Sequence, residues 1–381
     1  MSGLSTTISE INKKFGSSVL NFGIKEDLTS TKNKIKFSSP RLNYMLYGGI
    51  PRGRLIEFAG EENSGKTTTA LDLVSNAQEQ FEKEYEEAIE YLESLDKPTK
   101  QQQQQLQFLR ARGPLKCLFV DCENTLDEEW ARILNVNLDD LLILKPENQT
   151  AEEIFDAIEE LCKTEGIGFV VLDSLGVMVS QNAYEESYEK RQYGGISIPL
   201  TAFTKKCVQL FKRLNITFIG INQLRDKINS PMGGKDTTGG RAWKHNCSVR
   251  LFFSKGDYFD EAGKSLTRSA ESPAGNKVMV NIQKTKVCRP DRRVGYYTLH
   301  YTYGIDWIAD LVDVAEKFGF INKNGAWFYF LDPETGELML GVDGNPLKLQ
   351  GKPAVINFLE EDENLEILQE LEDKINAKIC T

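Results

Sequence analysis

The chain has 381 residues, of which 40% are hydrophobic and 27% charged, a globular composition that excludes disordered and fibrous classes. At about 150 residues per domain, this length suggests two or three structural units. The formal net charge of −10 argues only weakly against nucleic-acid binding, because the charge of one face matters more than the sum.

Cysteine usage and apolar runs exclude further classes. The seven cysteines contain no C-x-x-C pair, which argues against a zinc ribbon or a disulfide framework and fits a reducing cytosol. The two histidines, His245 and His300, offer little for a histidine-built metal centre. Because no apolar run approaches the roughly 18–20 residues of a membrane span and the N-terminus lacks a secretory signal, we expect a cytoplasmic protein.

The N-terminal segment, residues 1–30, is polar but has apolar residues at Ile8, Ile11 and Phe15. This spacing predicts a small helix whose apolar face a neighbouring subunit would cover, with a frayed terminus as the alternative. Residues 30–36 are predicted to be a linker.

From about residue 54, short apolar runs alternate with helical patterns. This alternation predicts an α/β core over residues 31–306, with a mostly parallel sheet covered by helices on both faces. Strands are predicted at 55–59, 117–121, 169–173, 216–221, 248–253, 277–284 and 295–303, and a helix at 66–80.

Two segments depart from the core pattern. Residues 82–112 are strongly helical on either side of Pro98 and contain five consecutive glutamines. They predict a solvated helical hairpin inserted at the surface, which we favour over a partner-binding element. From Trp307 the pattern predicts a small α+β C-terminal domain over residues 307–381, ending in an acidic helix at 360–379.

A phosphate-binding loop is predicted between the first core strand and its helix. The segment Gly60-Glu61-Glu62-Asn63-Ser64-Gly65-Lys66-Thr67 fits G-x-x-x-x-G-K-[ST] in the strand–loop–helix context that this motif requires. Its backbone N–H groups and the helix N-terminus would hold the phosphates of ATP, and Thr68 lies beside them. Lys66 would reach the β- and γ-phosphates, and Thr67 would ligate Mg²⁺.

Polar residues follow three other predicted strands, where ligands of parallel sheets bind. Asp173 is expected to complete the magnesium site. Of Asp121 and Glu123, Glu123 is the better candidate to orient the attacking water, although both could simply cap the following helix. Gln223, after Asn222, would sense the γ-phosphate by hydrogen bonding.

The segment after Gln223 predicts a switched binding surface. Residues 224–238 contain proline, adjacent glycines and mixed charge, which predicts a mobile loop. Gly239 and Gly240 follow at once, and then Arg241 and Lys244. A basic, glycine-rich loop joined to a nucleotide sensor suggests a surface controlled by ATP.

These motifs, in this order, resemble the RecA family of bacterial and phage DNA recombinases. The resemblance covers about residues 5–375, and ring helicases of the same fold lack its Thr-Thr-Gly-Gly and Gly-Ala-Trp motifs. It is carried by Gly60–Thr67, Asp121–Asp127 with Ala131-Arg132, Val171–Ser174, Ile221–Arg225, Thr237–Gly240 and Gly325–Trp327.

The resemblance implies roles for residues at the nucleotide. Glu123 corresponds to the catalytic carboxylate and Gln223 to the γ-phosphate sensor. Adenine would be held by Asp127 and Trp130 on one side and by the aromatic ring of Tyr301 on the other. At the position of Trp130 the family usually has a tyrosine. Lys284 and Lys286 would reach across a subunit interface to the neighbour's γ-phosphate, as an arginine finger does.

The resemblance also implies two DNA-binding loops, at residues 185–197 and 224–240. Ile228 would wedge between stacked base triplets, and other positions would contact the DNA backbone or lie beside it. These positions are Tyr193, Gly194, Thr201, Lys205, Arg225, Lys227, Gly239, Gly240, Arg241 and Lys244.

Some DNA-facing positions depart from the family pattern. Ile198 stands where a basic residue is usual, Pro199 is expected to break the local helix, and His245 replaces a phenylalanine. The second loop is one residue shorter, with Met232-Gly233 in place of a Met-Phe pair. The departures concern the DNA geometry and leave the predicted ATPase site intact.

The resemblance therefore implies a DNA-dependent ATPase that forms helical filaments on single-stranded DNA and exchanges strands with homologous duplex DNA. ATP and Mg²⁺ are the expected cofactors, and single-strand-binding and loader proteins are further expected partners in a bacterial or phage-infected cytosol. Two alternatives are a ring-forming helicase or loader on the same fold, and an ATP-regulated scaffold or phosphotransferase without a DNA role.

Overall fold

The computed structural model describes residues 33–185, 195–226, 235–267, 269–332, 335–341 and 344–379, together with Glu10 and Lys13. The helix predicted within residues 1–30 otherwise lies outside this part of the chain. A two-stranded sheet pairs β1 (Lys34–Ile35) with β2 (Ile50–Pro51) at its start. The linker predicted over residues 30–36 is therefore wrong at its end, because Lys34 and Ile35 are buried strand residues.

The central sheet of the described chain has eleven strands. They are β3 (Leu55–Gly60), β4 (Lys116–Asp121), β5 (Leu141–Leu144), β6 (Ile167–Asp173), β7 (Thr217–Asp226), β8 (Lys235–Thr237), β9 (Val249–Phe259), β10 (Ser265–Leu266), β11 (Gly275–Thr285), β12 (Val294–His300) and β13 (Gly304–Ile305). Their order is β13-β12-β11-β9-β3-β7-β6-β4-β5, with β8 paired to β7 and β10 to β9. The six strands from β9 to β5 are parallel, and β11, β12 and β13 extend the sheet in antiparallel fashion. This confirms the predicted α/β class.

Helices cover both faces of this sheet, and each face has its own apolar core. On one face Ile56 and Phe58 pack with the first turns of the helix that begins at Lys66, and on the other the rings of Phe155 and Phe203 stack with their centroids 4.5 Å apart. The helices of the described core are α1 (Pro40–Met45), α2 (Lys66–Glu93), α3 (Lys100–Arg112), α4 (Glu128–Ile133), α5 (Ala151–Lys163), α6 (Gln181–Glu185), α7 (Ser197–Leu214) and α8 (Gly240–Asn246).

The predicted helical hairpin is present, but its first arm is not a separate insertion. Helix α2 runs without a break for 28 residues, about 42 Å, from the phosphate loop to Glu93. The predicted end at residue 80 is wrong because the next glycine or proline is Pro98 and the continuing helix still buries Phe81 and Leu92. Thr99 and Gln102 form a capping box that begins the second arm, α3.

Proline at position 199 does not break α7. It is the third residue of the helix, and the first N–H groups of a helix have no intrahelical acceptor to lose. The expectation of a local break is therefore wrong, and the helix continues to Leu214.

The C-terminal unit has a core of its own and packs on the rest through buried polar contacts. Asp310 accepts a hydrogen bond from the hydroxyl of Ser39 at 2.6 Å and lies beside Arg41. The acidic helix predicted at 360–379 begins only at Leu365, because Glu360 ends the preceding helix and an extended Glu361 and a short 3-10 turn follow it. The elements are α9 (Trp307–Phe318), β14 (Ile321–Asn324), β15 (Trp327–Phe330), β16 (Lys348–Gln350), α10 (Lys352–Glu360) and α11 (Leu365–Ile379). Among the helices described, none has both the length and the apolar character needed to cross a bilayer.

Candidate functional site

The phosphate loop has the tight backbone that its motif requires. Gly60 ends β3, and a Cβ atom there would lie 2.5 Å from the Ser64 hydroxyl and 2.7 Å from the Phe253 carbonyl oxygen. Gly65, at the N-cap of α2, has a left-handed φ of 90°, and a Cβ atom on it would lie 2.9 Å from Val278. Both positions therefore require glycine, and the loop leads directly into the helix N-terminus.

Lys66, Thr67 and Asp173 meet beside this loop. The Thr67 hydroxyl donates a hydrogen bond of 2.6 Å to Asp173, which ends β6, and the Lys66 ammonium donates to the carbonyl oxygens of Gly60 and Glu61 at 3.1 and 2.6 Å. Burial lowers the pKa of Lys66 and raises the pKa of Asp173 to about 6. A hydroxyl and a carboxylate oxygen at one point are hard ligands of the kind Mg²⁺ prefers, so these residues fit a magnesium ion.

The structure separates the roles of the two carboxylates after β4. Asp121 is buried and accepts hydrogen bonds from the backbone N–H groups of Thr125 and Leu126, at 3.1 and 3.0 Å, so it holds the following turn. Glu123 instead accepts hydrogen bonds from the Ser174 hydroxyl and, at 3.4 Å, from the Gln223 side-chain amide. The predicted water-orienting carboxylate and the predicted γ-phosphate sensor are therefore in contact.

Thr67, Glu123 and Asp173 line one cavity of about 380 Å³, which has the position expected for a nucleotide. Trp130 borders it and donates from its indole nitrogen to Thr68 at 3.3 Å. Asp127, at the rim, caps α4 by accepting from the Trp130 backbone N–H. The cavity is lined by Glu62, Asn63, Lys66, Thr67, Thr68, Leu71, Glu123, Thr125, Asp127, Trp130, Asp173, Ser174, Ile221 and Gln223.

Tyr301 is not brought to this cavity in the single chain. It lies after β12, is 40% exposed and donates its hydroxyl hydrogen bond to Asn276 at 2.7 Å. Its predicted contact with adenine remains a prediction.

Lys284 and Lys286 also lie away from the nucleotide cavity of their own chain. The ammonium of Lys284 donates to the backbone carbonyls of Lys244 and His245 at 2.6 and 2.7 Å, and that of Lys286 donates to His245 at 2.6 Å. Both therefore bind the C-terminal end of α8, where cations are favoured. Val278, the residue of β11 beside Gly65, is six residues from Lys284, which is about 20 Å along a strand. Neither lysine can serve its own chain's nucleotide in this conformation.

The second predicted DNA-binding loop has an ordered base. Leu224–Asp226 of β7 pair antiparallel with Lys235–Thr237 of β8, so the prediction of a loop over all of residues 224–238 is wrong at both ends. Lys235 also forms an ion pair with Glu61 of the phosphate loop. Lys227 and Ile228 lie outside the described residues, as do Tyr193 and Gly194 of the first loop.

A second cavity, of about 540 Å³, is lined by five of the described residues predicted to bind DNA, namely Arg225, Gly239, Gly240, Arg241 and Lys244. Lys244 is paired with Asp236 at 2.5 Å, and Arg225 donates to the carbonyl of Gly176 at 3.4 Å. Thr201 is one turn into α7, which begins at this cavity, and Lys205 is exposed on the next turn. The lining residues are Gly176, Met178, Gly195, Ile196, Ser197, Arg225, Asp236, Thr237, Thr238, Gly239, Gly240, Arg241 and Lys244.

Sequence reasoning did not assign a role to Ser174 or Glu57. A signal for Ser174 was its place directly after Asp173 at a strand end, where a hydroxyl can reach the same cavity. Glu57 lies inside an otherwise apolar strand, and a carboxylate at such a position needs hydrogen-bond partners that no local pattern reveals.

Comparison with known proteins agrees with this geometry. Residues 2–97 and 91–306 match the sequence profile of the RecA N-terminal domain, and residues 309–380 match that of the RecA C-terminal domain. Protein RecA of Mycobacteroides abscessus is 30% identical over 379 residues, which cover 99% of this chain and 92% of the relative. Protein RecA of Clostridioides difficile is 28% identical over 380 residues, with 99% and 92% covered, and that of a Methylobacterium species is 31% identical over 337 residues, with 88% and 80% covered.

Proposed function

Because the chain belongs to the RecA family, we propose that it is an ATP-dependent recombinase. It would polymerise on single-stranded DNA, pair that strand with homologous duplex DNA and exchange strands, in the cytosol of a bacterium or of a phage-infected cell. The observation that carries the proposal is the path of β7. This one strand presents Gln223 to Glu123 in the nucleotide cavity and, two residues later, Arg225 to the second cavity.

The proposed catalytic cycle follows from the contacts in the nucleotide cavity. Lys66 exchanges its loop carbonyl contacts for the β- and γ-phosphates of ATP, and Trp130 stacks on the adenine. Magnesium held through Thr67 and Asp173 would supply positive charge against the developing charge of the phosphates. Glu123 accepts a proton from the attacking water, with Ser174 and Gln223 fixing the orientation of its carboxylate.

Gln223 would connect this chemistry to DNA. With ATP bound, its amide donates to the γ-phosphate, and after phosphate release it returns to Glu123. The two positions would shift the end of β7 and therefore the loop that follows Asp226. ATP then favours the DNA-binding state only to the extent that its contacts with Gln223 and neighbouring residues are more favourable in that state than in the other.

The single-chain contacts of Lys284 and Lys286 support a shared nucleotide site. Both lysines lie too far from their own cavity, so a role at the γ-phosphate requires a neighbouring subunit. Mixing Lys66→Ala and Lys284→Ala proteins tests this arrangement. Some interfaces of the mixture would combine an intact phosphate loop with an intact lysine pair, so ATPase activity should exceed that of either variant alone.

The recombinase proposal is tested by strand exchange between circular single-stranded DNA and homologous linear duplex DNA, with and without ATP. We expect joint molecules only with ATP, and open helical filaments by electron microscopy. Closed hexameric rings without joint molecules would instead indicate a helicase or loader. Binding to a labelled oligonucleotide that fails to weaken with salt would argue against phosphate contacts at the second cavity.

A further inference from the structure

A fully buried carboxylate lies on the strand that leads into the phosphate loop. Glu57 of β3 is 0% exposed and precedes Gly60 by three residues. Its neighbours Ile56 and Phe58 face the core beside α2, so alternation along the strand directs Glu57 to the opposite face, toward α7 and α8. A charge buried at this position is tolerated only if it is paired and hydrogen-bonded.

Three donors from three different elements satisfy this carboxylate. Asn222 of β7 and the indole nitrogen of Trp243 of α8 both donate to Oε1 at 2.9 Å. Arg250 of β9 donates through Nε to Oε2 and forms an ion pair. A Cβ atom on Gly220 would lie 2.7 Å from the Trp243 ring, so the indole rests directly on β7. Glu57 therefore joins three elements that share no hydrogen-bonded strand pair with one another.

The same donors also hold the returning arm of the second DNA loop. The Thr238 hydroxyl donates to the side-chain oxygen of Asn222 at 2.7 Å, and the Asn222 amide donates to the Thr238 carbonyl at 3.0 Å. Arg250 donates to the Thr237 hydroxyl at 3.2 Å. Glu57 is thus connected to Thr238 through Asn222, to Thr237 through Arg250, and to the helix that follows the loop through Trp243.

Asn222 carries this arrangement to the nucleotide cavity. It is adjacent to Gln223, and successive residues of a strand point to opposite faces of the sheet. Gln223 contacts Glu123 on one face of the sheet, while Asn222 is hydrogen-bonded to Glu57 and Thr238 on the opposite face. Any displacement of Gln223 along or across β7 must therefore move the Glu57 contacts as well.

We propose that Glu57 is a positioning residue that couples the nucleotide cavity to the second DNA loop. It touches neither ATP nor DNA and acts through Asn222, Arg250 and Trp243. This inference rests on the proposed function, because it assumes that DNA binding and ATP hydrolysis are linked.

The test compares Glu57→Gln with the double variant Glu57→Gln/Arg250→Met. In the single variant Arg250 loses its charged partner, and a largely buried guanidinium keeps the Thr237 hydroxyl but no carboxylate as acceptor. The double variant removes that buried charge, so its thermal stability should recover toward wild type. It still lacks the link from Glu57 through Arg250 to Thr237.

The readouts are the thermal midpoint, the KM for ATP without DNA, and the stimulation of ATP hydrolysis by a poly-dT oligonucleotide. In both variants we expect the KM to stay within about threefold of wild type while stimulation falls by about tenfold or more, as for a typical coupling between sites. Thr204→Val is the matched control. It also removes a buried polar contact on this face, but Thr204 donates only to Leu200 of its own helix, so stimulation should persist.

The outcomes separate the inference from the proposed function. Wild-type protein that ignores the oligonucleotide would refute the function, and the coupling with it. If wild type responds and the folded single variant responds equally, Glu57 has no positioning role. If stimulation recovers together with stability in the double variant, Glu57 serves stability alone. Should the single variant fail to fold, the double variant decides between these outcomes.

Discussion

Replacing Glu123 by glutamine tests the catalytic assignment with little change of shape. The carboxylate accepts hydrogen bonds from Ser174 and Gln223, and a glutamine oxygen can still accept from Ser174. What the variant loses is the negative charge and the basicity needed to take a proton from water. General-base groups contribute about 10²- to 10⁴-fold in rate, which corresponds to about 3–5 kcal/mol of transition-state stabilisation.

We therefore expect the kcat for ATP hydrolysis to fall by about 10²- to 10⁴-fold. The affinity for ATP should stay the same or rise, because a negative charge facing the phosphates has been removed. Trapped with ATP, the protein should dissociate from single-stranded DNA more slowly than wild type. The assays are steady-state hydrolysis, equilibrium binding of a fluorescent ATP analogue, and dissociation from a labelled oligonucleotide.

Glu129→Gln provides the control. Glu129 is an exposed residue of α4, so this substitution makes the same chemical change outside the cavity. It should hydrolyse ATP at the wild-type rate. Hydrolysis by Glu123→Gln at that rate would refute the role of Glu123. A loss of ATP affinity equal to the loss of rate would show instead that Glu123 binds substrate.

Three further predictions concern the adenine, the domain junction and the loop base. Trp130→Ala should raise the KM for ATP by about 5- to 150-fold, because stacking of one base on an aromatic ring contributes roughly 1–3 kcal/mol. A smaller effect on KM would indicate that the adenine binds elsewhere. Burial raises the pKa of Asp310 from 3.8 to about 7, so between these values the native state holds a proton that the unfolded chain lacks, and stability falls as pH rises. Asp310→Asn should flatten the fall in thermal midpoint from pH 5 to pH 8, and parallel curves would contradict this. Lys235→Glu should weaken oligonucleotide binding up to about fivefold at low salt, and the double variant Lys235→Glu/Glu61→Lys, which reverses the ion pair, should recover part of the affinity. No recovery in the double variant would indicate that Lys235 contacts DNA directly.

Local sequence was sufficient to predict those features that depend on residues close to one another along the chain. The phosphate loop follows from glycine spacing, because only residues without a Cβ atom fit at Gly60 and Gly65. The parallel core strands follow from short apolar runs with polar ends, and the break between the hairpin arms follows from Pro98. Strand direction then explains why Thr67 and Asp173, 106 residues apart, could be predicted to meet.

Tertiary structure alone decided which of several similar residues does what. The sequence favoured Glu123 over Asp121 but left open that both cap the following helix, whereas in the structure Asp121 accepts from backbone N–H groups and Glu123 faces the cavity. The pairing at the base of the second loop was decided by hydrogen bonds between its two arms, which override the local preference for a loop. Glu57 could not be recognised from its strand, because a buried charge is stable only through partners that folding brings to it from three separate elements.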